Sequence, residues 1–254
     1  DGRFLAFSTA DGTIEVWDLQ ERAPHCVLTN AIDSPPLRFI DGGNGLISRS
    51  LRDRLLVQWD LRNKQRKRSW STSPLSRSSA PNRPSTAASP DGQTLMAVSV
   101  KGEALHLDLD DGSSSYRDLS VPEVSDIDFS PDGGLFAISS HLGHARVWES
   151  STWREVKTLR GYLVGLTSLA FSPDGHRLVT GSDGKEAIRF WDTTSWRDVL
   201  TLEGEGANYA MVQFSPDGST LGGLNYQRQL FLWRAPSWEH IRAAEQQEAV
   251  TTDP

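Results

Sequence analysis

Short runs of apolar or alternating residues recur along the chain, and clusters of Ser, Pro, Asp and Gly separate them. In one unit, LTSLAF and HRLVTGS stand on either side of an SPDG step, and IRFWD and WRDVLTL follow. Val, Ile, Phe, Trp and Thr favour strands, whereas Pro presets the φ of a turn and Gly accepts a positive φ. Each unit is therefore predicted to hold four short β-strands. SPDG is interpreted as a turn and not as a catalytic serine motif.

Two sequence markers repeat with one common period. The Asp of an Asp-Gly step recurs every 40 to 50 residues, at Asp1, Asp41, Asp91, Asp132, Asp174 and Asp217. A residue near the end of each third strand recurs every 41 to 48 residues, at Trp17, Trp59, Leu107, Trp148, Trp191 and Trp233. One small sheet cannot bury both of its faces alone, so such units must stack on one another. Radial stacking around an axis predicts a β-propeller.

Composition limits the classes of function. The 254 residues carry a net charge of −7, which argues against a general nucleic-acid binder because phosphate contacts need clustered Lys and Arg. Cys26 is the single cysteine, so the sequence offers no internal disulfide and no cysteine-based zinc site. No apolar run approaches the ~18 residues of a membrane span. These features favour a reducing compartment, and cytoplasmic location is the prediction.

The repeat resembles the WD-repeat (WD40) family of β-propellers. The residues that carry the resemblance are VWD at Trp17 and Asp18, QWD at Trp59 and Asp60, FWD at Trp191 and Asp192, and the stretch LTSLAFSPDGHRLVTGSDG. It covers residues 1–240 and implies an all-β propeller of about six four-stranded antiparallel blades. The predicted blades are 1–30, 31–71, 72–120, 121–161, 162–204 and 205–242. A polar tail, 241–254, is predicted to be a short helix or disordered.

The chain departs from the family pattern at several positions. The family often has Gly-His before the first strand, where this chain has Gly161-Tyr162 and Gly204-Glu205. The family's buried His–Asp hydrogen-bonded network is therefore not expected in its usual form. The family Asp between second and third strands is kept at Asp11 and Asp183, and plausibly at Asp53. It is lost near Lys101, Leu142 and Gln227, and the third unit, with LHLDL, is the weakest copy.

The start of the first unit indicates whether that unit is complete. Asp1-Gly2 stands where other units have a strand and Ser-Pro before Asp-Gly. We therefore expect the first blade to lack its inner strand and the chain to be part of a longer protein. We accordingly expect the longer protein to have a propeller of seven or more blades. The present piece alone would then form an open or poorly sealed ring. LWRAPSWEHIRAAE also resembles the terminal blade of WD-repeat regions in large bacterial proteins, some with a Ser/Thr kinase domain upstream.

Two irregular stretches interrupt the repeat. Residues 69–90 are rich in Ser, Pro and Arg and are predicted to form an inter-blade loop with a degenerate first strand. A docking or phosphorylation loop is the alternative. Just before it, LRNKQRKRSW contains five basic residues, Arg62, Lys64, Arg66, Lys67 and Arg68. They are predicted to guard an outer edge strand, with a site for an anionic partner as the alternative.

Candidate chemistry is sparse in this sequence. It has no nucleophile elbow, phosphate-binding glycine loop, dinucleotide fingerprint or H-E-x-x-H motif, so no cofactor or catalytic residue is predicted. His141 and His144 could hold a metal, but an ordinary turn is favoured. Asp108, Asp110 and Asp111 are assigned to a polar turn over a calcium loop. A second Trp series, Trp153, Trp196 and Trp238, is assigned to blade-edge packing over a ligand cage.

Function is therefore expected to lie in surfaces. In the family, the loops joining second to third strands and fourth to first strands gather on one face, which commonly docks peptides or proteins. The exposed candidates predicted on that face are Arg52, His141, Tyr162, Lys185, Tyr209, Tyr226 and Arg228. A non-enzymatic protein-interaction scaffold, part of a larger regulatory protein, is the leading hypothesis. The alternatives are the propeller of a hydrolase or peptidase and a module attached to a Ser/Thr kinase.

Overall fold

The fold is known from a computed structural model of the chain. It describes residues 2–31, 36–50, 52–72, 75, 85–162, 164–182, 184, 188–203 and 209–234. Within these ranges, 22 strands form six separate antiparallel sheets, and a 3₁₀ turn spans Asp41–Gly43. The six sheets are arranged as a six-bladed β-propeller, which confirms the predicted fold class.

Each sheet is built from strands that are consecutive in the chain and paired in sequence order. The sheets, in chain order, are β1 Phe4–Ser8, β2 Ile14–Asp18 and β3 Ala23–Leu28; β4 Pro36–Ile40, β5 Gly45–Ser50, β6 Leu55–Asp60 and β7 Gln65–Ser71; β8 Ser85–Ala88, β9 Thr94–Val98, β10 Glu103–Asp108 and β11 Ser114–Asp118; β12 Val124–Phe129, β13 Leu135–Ser140, β14 His144–Glu149 and β15 Glu155–Leu159; β16 Leu166–Phe171, β17 Arg177–Ser182, β18 Ile188–Asp192 and β19 Asp198–Leu202; and β20 Tyr209–Phe214, β21 Thr220–Asn225 and β22 Leu230–Arg234.

The first sheet has three strands in the described part of the chain, as the sequence predicts. Its first strand, β1, pairs with β2 in the way that β5 pairs with β6 and β13 with β14, so β1 occupies the second-strand position. The last sheet also has three described strands. The predicted fourth strand of the last unit, the tail 241–254 and most of the Ser/Pro/Arg-rich stretch lie outside the described residues.

The SPDG steps form one repeated turn between first and second strands. In each, the Ser hydroxyl donates to the Asp carboxylate at 2.5 to 2.6 Å, and the same carboxylate accepts a backbone N–H two residues further on. The Gly that follows has a φ of 71° to 74°, a region that favours glycine. These hydrogen bonds lower the pKa of each turn Asp. The interpretation of SPDG as turn chemistry is therefore confirmed.

Five hydrophobic clusters hold the propeller together, one at each junction between successive sheets. Side chains alternate across a strand, so each central strand supplies residues to two junctions. On β13, Phe136 and Ile138 pack toward the third sheet, whereas Ala137 packs toward the fifth. Both faces of β16 and β17 are covered, so β16 and most of β17 are buried at every position and not at alternate ones.

Candidate interaction face

The turns between second and third strands lie at the same end of the propeller as the connections between successive sheets. Antiparallel pairing within each sheet requires this, because every second connection returns to the same end. We call this end the upper face. Its described parts are the turns 9–13, 52–54, 99–102, 141–143, 184 and 226–229 and the connections 29–31, 72 with 75, 119–123, 160–162 with 164–165, and 203. The SPDG turns lie at the opposite end, which we call the lower face.

Four of the seven predicted face residues lie in upper-face turns with accessible side chains. Arg52, Tyr226 and Arg228 are exposed, Tyr226 by 61 %, and His141 is half-buried. Backbone hydrogen bonds fix two of these turns: His141 N–H donates to Glu123 O at 2.8 Å, and Arg228 N–H donates to Asn225 O at 3.0 Å. The structure therefore brings these side chains to one end of the molecule. That they bind a partner stays a prediction.

Tyr162 was expected to be exposed, whereas the structure shows it half-buried, with its hydroxyl engaged inside the fifth sheet. Its hydroxyl is hydrogen-bonded to Thr180 Oγ1 and accepts the indole N–H of Trp191 at 2.8 Å. Trp191 also donates to Thr180 Oγ1 at 3.2 Å, and the Arg189 guanidinium lies 4.8 Å from the tyrosine ring centroid. Burial raises the pKa of Tyr162 to about 12, although the two hydrogen bonds and Arg189 oppose the shift. Tyr162 thus stabilises the fifth sheet.

Tyr209 is the second residue whose predicted exposure is wrong. It is 1 % exposed, because it begins the inner strand β20 and its ring packs edge-on against Phe231 and Trp233, each with centroids 5.6 Å apart. Gly223 makes room for it, since a Cβ there would lie 2.9 Å from both the Tyr209 and Trp233 rings. Burial raises the pKa of Tyr209. Lys185 and Asp183 lie outside the described residues.

Two apolar residues on the upper face were not predicted. Leu142, in the β13–β14 turn, is 59 % exposed, and Val164, in the connection before β16, is 41 % exposed. The two segments are in close contact: a Cβ on Gly165 would lie 2.4 Å from His141 O, and one on Gly143 would lie 3.0 Å from Val164 O. The available signal was an apolar residue inside a polar turn, and the predicted face residues were all aromatic, basic or His side chains.

The repeat markers are structural, and their polar partners differ from sheet to sheet. Trp59 donates its indole N–H to Ser48 Oγ at 2.8 Å, and Trp17 donates to Glu15 Oε2 at 2.9 Å. Trp148 and Trp233 stack on phenylalanine rings, with centroids 5.2 and 5.9 Å apart. Asp11 accepts hydrogen bonds from Thr9 and Thr13 within its own turn, which lower its pKa.

Side chains on the inner strands bind the backbone of the next inner strand. Asp126 and Asp128 of β12 accept the backbone N–H groups of Leu169 and Phe171 of β16, at 3.1 and 2.9 Å. Side chains of β4, β8 and β16 make the corresponding bonds to carbonyls one strand further on, through Arg38 to Ala88, Ser85 to Ser125 and Thr167 to Tyr209. Each inner strand has one edge unpaired within its sheet, and these bonds satisfy part of it.

Burial dominates the electrostatics of the two inner-strand carboxyls. It raises the pKa of Asp126 to about 7, against the opposing effect of the Leu169 and Ile127 N–H groups and with a smaller contribution from the charge of Asp128. It also raises the pKa of Asp128, which the Arg38 guanidinium partly offsets. The sequence analysis did not single out this pair. The signal was DIDF, two acids at alternate positions in an inner strand.

The metal and calcium alternatives find no support in the described geometry. Asp108 Oδ1 accepts the backbone N–H groups of Asp110 and Asp111, at 2.8 and 3.1 Å, as in a polar turn. Over the described ranges, no group of three or more His, Cys, Asp and Glu side chains could hold a metal ion. Trp153 and Trp196 pack against the cores of their junctions, as predicted, whereas Trp238 lies outside the described residues. No helix in the same ranges has the length and apolar character of a membrane span.

Comparison with known proteins matches the central part of the chain. Residues 116–149 and 153–192 match the family model for the WD domain, G-beta repeat. The chain is also 36 % identical, over 64 residues, to an uncharacterized WD repeat-containing protein of Synechocystis sp., a match that spans 25 % of this chain and 18 % of that protein. The first matched segment runs from within β11 to the end of β14 and the second covers β15–β18, so each ends one residue after a Trp marker.

Proposed function

We propose that this β-propeller, in which two segments match the family model for the WD domain, G-beta repeat, is a non-enzymatic scaffold for protein–protein interaction. One observation carries the proposal: the upper face exposes Tyr226, Leu142 and Val164 together with the cations Arg52 and Arg228. Aromatic and Arg side chains are enriched at binding hot spots, and exposed apolar groups gain from burial against a partner. A cytoplasmic location and a regulatory place within a larger protein belong to the same proposal.

The enzymatic alternatives have no specific observation in their favour. The two inner-strand carboxyls, Asp126 and Asp128, are half-buried and already accept backbone hydrogen bonds from the neighbouring strand, so they serve packing between the fourth and fifth sheets. His144, whose pKa burial lowers, is the first residue of strand β14, directly after the 141–143 turn. A hydrolase or peptidase propeller, or a kinase-linked module, would need catalytic groups other than these described ones.

The proposal is tested by affinity capture with three versions of the protein. Leu142→Ser combined with Tyr226→Ser removes the two most exposed apolar groups of the upper-face turns. Leu19→Ser, at a lower-face turn and 49 % exposed, is the matched control. Proteins captured by the native chain and the control, but lost with the double variant, are the expected result. Equal capture by all three versions, or by none, contradicts the proposal.

A further inference from the structure

A pocket opens on the lower face between the third and fourth sheets. Its volume is about 310 Å³, in the lower part of the range of about 300–1,000 Å³ that small-ligand pockets span. Every residue that lines it belongs to the continuously described stretch 85–162. Met96 and Phe129, which are 1 % and 6 % exposed, form its floor, and the exposed Asp91 and Asp132 stand at its mouth.

One wall of the pocket has a serine where the two preceding sheets have leucine. Ser150 N–H donates to the carbonyl of Gly134, the residue before the second strand, at 2.9 Å, and Leu61 and Leu109 make the same backbone bond in the second and third sheets. Both leucines are buried in the clusters of their junctions, whereas Ser150 is half-buried. The fourth sheet therefore lacks the apolar side chain that closes this place in the two preceding junctions.

The opposite wall has a threonine where two other sheets have a large apolar residue. Thr94 begins β9 as Phe4 begins β1 and Leu135 begins β13, and the last two pack against the clusters of their junctions. Thr193, at the place of Ser150 in the fifth sheet, donates its hydroxyl to a turn carbonyl at 2.7 Å, whereas Ser150 Oγ is buried without a hydrogen bond to any described residue. Packing alone therefore does not account for polar side chains on both walls.

Two carboxylates, each with an open oxygen, flank the mouth of the pocket. Asp91 and Asp132 use Oδ1 for the bonds of their SPDG turns, and Oδ2 of each forms no hydrogen bond or ion pair with a described residue. A Cβ on Gly134 would lie 3.3 Å from Asp132 Oδ2, so the glycine leaves this oxygen uncovered. No Lys or Arg lines the pocket.

The corresponding turns of the fifth and sixth sheets compensate their carboxylates. His176 and Arg177 lie beside Asp174, close enough for their charges to act on it. In the sixth sheet, Asp217 Oδ2 accepts the hydroxyl of Ser219 at 2.9 Å. No charge of a described residue acts in this way on the two carboxylates of the pocket. The pocket mouth therefore presents two negative charges that its own surroundings leave unpaired.

The open oxygens suit an ammonium group better than a guanidinium. Bidentate binding of a guanidinium needs both oxygens of one carboxylate, and Oδ1 of each Asp is already occupied in its turn. A primary ammonium has three N–H donors, one for each open oxygen and one for a wall hydroxyl. The hydroxyls of Thr94 and Ser151 line the pocket and have no hydrogen-bond partner among the described residues. Burial lowers the pKa of His106 on the same wall, so its ring is neutral at pH 7 and does not repel a cation.

We propose that this lower-face pocket binds a primary amine that carries an apolar group. The ammonium pairs with Asp91 and Asp132, and the apolar group lies over Met96 and Phe129, in the space between the two polar walls. A free amine and the N-terminus of a peptide with an apolar first residue both present this chemistry. The proposal does not rest on the scaffold function, because the pocket shares no residue with the upper face.

The test is isothermal titration calorimetry at low salt with 3-methylbutylamine and with the peptide Leu-Gly-Gly. Their neutral counterparts, 3-methylbutanol and acetylated Leu-Gly-Gly, should bind at least about tenfold more weakly, since they lack the ammonium. The tighter of the two amines identifies the source of the ligand, free or peptide-borne. Neutral counterparts that bind as tightly as the amines, or amines that give no saturable heat up to about 10 mM, would overturn the proposal.

Paired variants test the two carboxylates. Asp91→Asn with Asp132→Asn keeps the Oδ1 acceptor of each turn and should weaken amine binding about tenfold. Asp174→Asn with Asp217→Asn makes the same change in the equivalent turns of the next two sheets and should leave binding within about twofold, because salt screens distant charges. Equal losses in the two pairs contradict the assignment of the site.

A filling variant tests the cavity itself. Ser150→Leu restores the residue that the second and third sheets have at this place, so the protein should keep its melting temperature and lose amine binding about tenfold. The Leu142→Ser, Tyr226→Ser variant should bind the amine like the native chain, which separates this proposal from the upper-face one. Undiminished binding by a folded Ser150→Leu protein rules the pocket out as the binding site.

Discussion

The fourth and fifth sheets surround the same repeated tryptophan in two chemically different ways. In both, the tryptophan pairs with an apolar residue of the second strand, Phe136 for Trp148 and Leu178 for Trp191. Two residues further along the second strand, the fourth sheet has Ile138 and the fifth has Thr180. The indole of Trp148 therefore stacks on Phe136, with an interplanar angle of 10°, whereas that of Trp191 donates hydrogen bonds.

The repeat therefore fixes where the tryptophan lies in each sheet. The side chains that contact its indole ring differ from one sheet to the next. In the fifth sheet, Tyr162 lies in the connection before β16 and completes a Tyr–Thr–Trp network. A buried indole N–H needs an acceptor only where the surroundings are closed to water. The same tryptophan position can therefore be surrounded by an aromatic stack in the fourth sheet and by a hydrogen-bonded polar network in the fifth.

The largest expected effect comes from removing either tryptophan. Trp148→Ala and Trp191→Ala should each lower the free energy of unfolding by about 3–5 kcal/mol, because a large buried ring leaves a cavity that its neighbours fill only in part. Urea denaturation followed by circular dichroism measures both. Lys157→Ala, at an exposed site of the outer strand β15, is the control and should change stability by less than about 0.5 kcal/mol. A small loss at one tryptophan would mean that the two positions do not carry equal packing.

A second prediction concerns the ionisable link between these two sheets, Asp126. Its pKa of about 7 in the folded protein lies above the 3.8 of an ordinary Asp, so the folded state favours the neutral acid. As pH rises from about 4 to about 7, the unfolded chain loses this proton first, and the contribution of Asp126 to stability falls. Asp126→Asn removes the titratable group. It also replaces one of the two carboxylate oxygens, which accept the Leu169 and Ile127 N–H groups, by an amide nitrogen that cannot accept them.

The Asn variant should therefore gain stability relative to the native chain as pH rises from 4.5 to 8. The full shift is reduced by the water that this half-buried group can reach, so we expect a swing of about 2 kcal/mol. The measurement is the difference in urea midpoints at several pH values. Ser115→Ala, on the exposed outer strand β11, changes no titratable group, so it is the control and should show no such swing. A constant difference between Asp126→Asn and the native chain across this range contradicts the prediction.

The sequence was sufficient for the fold because the repeat is encoded in local patterns. SPDG turns, strand alternation and the Trp marker each depend on nearest neighbours along the chain, so the six sheets and the short first one could be predicted. The burial of Tyr162 and Tyr209 could not, because it depends on residues 18 to 29 positions away for Tyr162 and on a glycine, Gly223, in the adjacent strand. The lower-face pocket depends on comparing Ser150 with Leu61 and Leu109 once their shared backbone hydrogen bond is known.

The finest test of the comparison replaces each tryptophan by phenylalanine, which keeps an aromatic ring and removes the N–H donor. Trp148→Phe should cost less than about 1.5 kcal/mol, since its contacts are those of a stacked ring. Trp191→Phe should cost about 1–2 kcal/mol more, because Tyr162 and Thr180 lose their shared donor in a buried setting. Tyr162→Phe in the Trp191→Phe background should then cost less than Tyr162→Phe alone, as expected for coupled groups. Equal costs at positions 148 and 191, or additive costs at 162 and 191, would show that the hydrogen bonds add nothing to the packing and that the two sheets differ in composition only.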